Sequence, residues 1–195
     1  YPILAELTQL NVTWQQRSDH LCYLGSISET RGILPLVDSL ALSGLTLDLA
    51  GPYSGDSESK IKASRGFNQV NYHGILNRQQ VSELLGQVKI GMVTLLPTPS
   101  YLESLPIKLF EYMLAGIPVI TSNFPLWQSI VQGHNCGLMV DPSDAQAIAA
   151  ACKWLLENQE QAKQMGENGR QAVLNHYTWD QEQERLLAFY RQLES

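Results

Sequence analysis

From Leu21 onward, short β-favouring runs alternate with longer stretches of helical periodicity, and this alternation restricts the chain more than any other feature. The runs are 21–24, closed by Gly25; 45–49, closed by Ala50-Gly51; and 70–72, closed by His73-Gly74. Three more follow: 90–96 before Pro97, 118–121 before a polar loop, and 137–140 before Asp141-Pro142. Between them Leu36, Val37, Leu40 and Ala41, and then Val81, Leu84 and Leu85, recur at helical spacing. Strands that alternate with helices predict βαβ units, hence an α/β fold: a doubly wound, six-stranded parallel sheet with helices on both faces. Ser143-Asp144 caps a helix predicted over 145–156, and further helices are expected over 161–176 and 180–193, giving a helical C-terminal tail. Residues 1–20 read as a connector, 21–195 as a single domain, and 52–59 as a surface loop. In such a sheet ligands bind beyond the carboxyl ends of the strands, so the loops after Leu24, Tyr72, Leu96 and Thr121 are where chemistry is expected.

Composition excludes several classes of function. No apolar stretch reaches the length of a membrane span, and a net charge of −6 without a Lys/Arg cluster argues against nucleic acid as a partner. Cys22, Cys136 and Cys152 form an odd set without C-x-x-C pairing, which suits reduced, buried thiols and a cytoplasmic setting. The four histidines lack metal-ligand spacing, no G-x-S-x-G elbow is present, and Gly25 belongs to no G-x-G-x-x-G fingerprint. Trp127, Trp154 and Trp179 read as core or interface anchors. A first residue that is tyrosine, not methionine, points to a piece of a longer chain.

The segment from Glu103 to Val119 is the most informative. Its two glutamates, Glu103 and Glu111, stand in E-x7-E spacing, and Pro106 or Ile107 can open a helix that Gly116 ends. Glu103 then lies in the loop before the helix and Glu111 within it, so that both can face a ligand held at its positive end.

This segment resembles the donor site of the retaining family 4 glycosyltransferases of GT-B fold, with its E-A/Y-M-A-x-G-x-P-V pattern. Other matches follow in order: Y-L-G-S-I-S-E-T-R-G-I from Tyr23, L-D-L-A-G from Leu47, V-N-Y-H-G from Val70, Leu96-Pro97, G-L-M-V-D-P from Gly137, M-G-E-N-G-R from Met165, and Tyr177-Thr178-Trp179. The resemblance implies the C-terminal, donor-binding domain of an enzyme that transfers sugar from a nucleotide diphosphate sugar with retention, without a cofactor or an obligatory metal. Glu111 would bind the ribose, and Glu103 would stand beside the transferred sugar. Arg31, in the family's lysine position, would stabilise the leaving diphosphate, and Gly25 would let the backbone approach it. The amides of Ser104 and Leu105 would contact sugar or phosphate oxygens, and Ile75 and Leu76 the base. Ser26 replaces the arginine common in the family, which leaves Lys108 as the candidate for the second positive charge. The N-terminal acceptor domain would be the missing partner, so the chain would bind donor without turnover. By family, polysaccharide biosynthesis and peripheral membrane association of the full-length enzyme are the expected setting. Two other readings remain open: a non-catalytic nucleotide- or protein-binding module, and a GT-B-like sugar-nucleotide epimerase.

Overall fold

The computed structural model describes residues 12–179, together with 183, 186, 187 and 189–191. Six strands form one sheet: β1 (Ser18–Leu24), β2 (Thr46–Ala50), β3 (Val70–Tyr72), β4 (Val88–Val93), β5 (Val119–Ser122) and β6 (Gly137–Val140). Their spatial order is β3-β2-β1-β4-β5-β6, and every pairing is parallel. The helices are α1 (Ile33–Ser43), α2 (Ser57–Ala63), α3 (Arg78–Gln87), α4 (Pro99–Leu102), α5 (Ile107–Leu114), α6 (Pro125–Val131), α7 (Ala145–Glu157) and α8 (Gln159–His176). All six expected strands are present, and the doubly wound α/β class is the one observed.

Alternation along β1 divides the core into two layers. Leu21 and Tyr23 join Ile33, Leu36 and Leu40 of α1 and Ile148 and Cys152 of α7 on one side of the sheet. Cys22 and Leu24 join Leu85 of α3, Leu109 and Tyr112 of α5, and Trp127 of α6 on the other. The three cysteines are free and buried. Trp127 is fully buried, whereas Trp154 and Trp179 are 39% and 46% exposed.

The structure corrects several boundaries. β1 begins inside the stretch expected to be a connector, because its first residues are polar: Ser18 and Asp19 are exposed, and His20 is half-buried. His20 and His73 flank the carboxylate of Asp48 on β2, each with a ring nitrogen 2.7 Å from one of its oxygens. The fourth strand stops at Val93, short of Leu96. The expected loop 52–59 gives way at Ser57 to α2, a surface helix of which only Ser57 and Ile61 are buried; pairs such as Lys62 with Glu58 support it in place of an apolar stripe. The polar loop expected after β5 contains α6, with Pro125 at its first turn and Trp127, Ile130 and Val131 buried. The expectations for residues 1–10 and most of the helix over 180–193 lie outside the described residues. Within the latter, Leu186, Leu187, Phe189 and Tyr190 are each about half exposed. Among the described residues, no helix is long and apolar enough to cross a membrane.

Arg17, just before β1, locks the opposite end of the sheet. Its buried guanidinium donates to the carbonyls of Leu85, of Val88 at 3.0 Å and of Ala115 at 2.9 Å, joining the ends of α3 and α5 to the start of β4.

Candidate functional site

The chain reverses its direction across the sheet between β1 and β4, the two central strands. Connections leaving their carboxyl ends diverge there, which opens a crevice. It holds a cavity of about 630 Å³, bounded by Leu24 and Gly25 at the end of β1, Leu95 beyond β4, the first turn of α5 and the start of α3. That volume suits a nucleotide-sized ligand.

The position of α5 decides which side chains reach the cavity. Tyr112, fully buried, packs its ring against β4 at Gly91, where a Cβ would come within 2.4 Å of it. Its hydroxyl accepts a hydrogen bond from the Leu24 amide at 2.8 Å. The helix is thereby fixed to both strands that border the crevice. Lys108 and Glu111, three residues apart on α5, share a face and both line the cavity. Pro106 begins the helix without a side-chain cap, so the positive end of α5 is left to the cavity. Glu111 is half-buried; burial pushes its carboxyl above the ordinary range, while Lys108 and Arg78 pull it back.

A second loop brings Arg31. After β1 the chain turns at Gly25, whose φ of +112° only glycine adopts readily, and passes through a short 3-10 turn at Glu29–Arg31. Leu96 donates its amide to the carbonyl of Thr30 at 3.0 Å, which couples this loop to the one after β4. Arg31 lines the cavity with its guanidinium carbon 5.8 Å from the Tyr101 ring centroid. Lys108 is buried beneath Gly25, its Nζ 3.7 Å from the Tyr23 ring centroid.

Of the residues expected from the sequence, Gly25, Arg31, Leu76, Ser104, Lys108 and Glu111 line this one cavity. The others stand apart from it. Glu103 is exposed at the end of α4, beside Ser104. Ile75 is 76% exposed, and Leu105 is partly buried against the core. Ser26 is half-buried, its carbonyl accepting from the Tyr23 hydroxyl at 2.9 Å. The amide of Ser104 points to the Tyr101 carbonyl at 3.4 Å, and its own carbonyl accepts from the indole of Trp127 at 2.7 Å. Sequence reasoning missed Arg78 and Tyr101. Arg78 opens α3 immediately after the Asn77 cap, within reach of the strand-end loop after Tyr72, so its position did carry a signal.

Arg31, Arg78 and Lys108 gather with one carboxylate, Glu111, around a crevice at the switch point of a parallel sheet, and the fold is that of a doubly wound α/β domain. Residues 11–172 match the family of glycosyl transferases group 1, and the chain belongs to that family. The D-rhamnosyltransferase WbpZ of Pseudomonas aeruginosa is 30% identical over 151 residues, covering 75% of this chain and 38% of that protein. Sucrose-phosphate synthase from Thermosynechococcus elongatus superposes with a TM-score of 0.79 at 25% identity, over 99% of this chain and 49% of its own. Anabaena Alr3699/HepE, solved in complex with UDP, shares the fold at a TM-score of 0.77 and 16% identity, over 92% of this chain and 50% of its own. The chain thus spans about half the length, or less, of these similar proteins.

Proposed function

We propose that this chain is the donor-binding half of a retaining glycosyltransferase and takes a nucleotide diphosphate sugar into the cavity between β1, β4 and α5. The observation that carries the reading is the convergence of Arg31, Lys108 and Glu111 on the uncapped start of α5. A diphosphate is favoured at a helix N-terminus by the dipole and free amides, and Arg31 adds a planar fork suited to phosphate oxygens. Glu111 accepts from the ribose hydroxyls, a pairing suited to a carboxylate.

In the transfer step, charge grows on the leaving diphosphate as the bond to the sugar breaks. Arg31 and the α5 dipole, fixed before the reaction, offset that charge without reorganisation. On this reading Glu103, beside Ser104 and outside the cavity wall, is left for the transferred sugar. The mechanism uses no obligatory metal, and the acceptor and remaining groups belong to a second domain of the full-length protein, where peripheral membrane contacts also lie. The solved complex of Anabaena Alr3699/HepE with UDP supports a nucleoside diphosphate as the handle.

Titration calorimetry with UDP, GDP and ADP tests this. Wild type binds at least one of them, and Glu111→Ala binds it at least tenfold more weakly, with little further loss for the 2′-deoxy nucleotide. Equal affinity of the variant and wild type would remove the ribose role.

A further inference from the structure

Among the described residues, Gln69, Thr94, Lys108 and Thr121 carry buried side-chain polar atoms without a hydrogen-bond partner, and Lys108 is the cation of the four. Its side chain is 7% exposed and its Nζ has less than 1 Å² in contact with solvent. An ammonium has three donors, and leaving all of them unmet in a dry site is among the least favourable arrangements a side chain can adopt. The Tyr23 ring 3.7 Å away compensates in part. A lysine so placed escapes the cost by losing its proton, or recovers it by gaining an anion. The place for that anion is beside it: Lys108 contributes to the cavity wall, and a Cβ on Gly25 would lie 3.8 Å from Nζ. Gly25 therefore places no side chain between the amine and the cavity.

We propose that Lys108 is a ligand-charged cation: at mildly alkaline pH Nζ is largely a neutral amine in the empty site and takes one proton from solvent as the diphosphate of a nucleotide sugar enters. The proposal rests on the donor-site reading above and adds the source of the second positive charge. Among the described residues, the groups packed around Nζ are consistent with it. On β1, burial raises the Cys22 thiol and the Tyr23 phenol far above their ordinary values, so neither supplies a negative charge. On α5, the Tyr112 phenol is raised likewise. The remaining charged neighbours are Arg31, which repels a second cation, and Glu111, which attracts it but is shared with Arg78. Burial, then Arg31, brings the amine down to about 7; of the opposing pulls only that of Glu111 operates near neutral pH, where the Cys22 thiol is uncharged. An incoming diphosphate reverses that balance. The proton leaves again with the nucleoside diphosphate, so the cycle is closed.

The test is calorimetry of UDP-glucose, GDP-mannose and ADP-glucose binding in buffers of different ionisation enthalpy. Nucleotide sugars carry no phosphate proton that titrates near neutrality, so any uptake belongs to the protein. Wild type should take up close to one proton per site at pH 8, and its affinity should fall roughly five- to tenfold between pH 7.5 and 8.5. Lys108→Arg, always charged, should bind with no uptake and little pH dependence. Lys108→Met should also show no uptake and should bind more than tenfold less tightly at pH 7. If Lys108→Met fails to fold, the arginine variant decides. Wild-type heats independent of buffer, or full uptake retained in Lys108→Arg, would overturn the proposal while leaving the donor site intact. No binding of any nucleotide sugar would bring down the donor-site reading and this inference with it.

Discussion

The hydroxyl of Tyr112 on α5 accepts the amide of Leu24 at 2.8 Å, at the point where β1 ends and the cavity begins. This single bond ties the helix that carries Lys108 and Glu111 to the strand that leads to Gly25 and Arg31. Tyr112→Phe keeps the ring and orphans a buried amide, an effect of about 1–3 kcal/mol. Urea unfolding should report that loss. Nucleotide affinity should fall severalfold as well, since the two walls of the site lose their common anchor.

Gly91 makes room for the same ring. A Cβ there would lie 2.4 Å from Tyr112, within the fully buried β4, so that helix or strand must move. Gly91→Ala should destabilise the domain by roughly 2–4 kcal/mol, the range of a badly overpacked core site. An unchanged unfolding midpoint would show that α5 is seated less rigidly than its contacts indicate.

Lys108 burdens the fold in a pH-dependent way. Its value in the folded protein, about 7, lies below its ordinary value of 10.5. Between those limits the unfolded chain binds the extra proton, so stability rises with pH across that window, and the full cost is felt below pH 7. Lys108→Met should therefore stabilise the protein by roughly 2–4 kcal/mol at pH 6.5. The gain should shrink as pH approaches 10. Thermal unfolding across that range measures it, and a gain that grows with pH would contradict the burial of a destabilised ammonium.

Arg17 should prove a costly truncation away from the cavity. It satisfies the carbonyls of Leu85, Val88 and Ala115 at once. Arg17→Ala leaves these buried acceptors unmet, with an expected loss of about 3–5 kcal/mol. Chemical denaturation of the variant checks this.

Burial raises the thiols of Cys22, Cys136 and Cys152, the latter two to about 12. A thiol so far from ionisation is a poor nucleophile. The native protein should leave an aromatic disulfide reagent unreacted at pH 8, and unfolding in guanidinium should release all three thiols.

Much of this protein was determined by its sequence alone, and the reason is periodicity. Strands that end at Gly25, Gly51 and Gly74 and helices with one apolar face are local events, so their order, and with it the doubly wound parallel sheet, could be read directly. That Gly25, Arg31, Leu76, Ser104, Lys108 and Glu111 would lie near one another could be read as well, because strand-end loops and the start of α5 are fixed by position along the chain. Local pattern failed where stability comes from elsewhere: α2 has little apolar stripe, and the polar entrance to β1 looked like a connector. That Glu103, Ile75 and Leu105 stand off the cavity wall while Arg78 joins it follows from how α3 and α4 pack, which no local pattern encodes. The tertiary structure also decided the character of Lys108. In the sequence that residue is an ordinary lysine in a helix's first turn. Packed beneath Gly25, over Tyr23 and beside Arg31, its amine is cut off from water and from any hydrogen-bond partner, and no spacing of residues could have shown that.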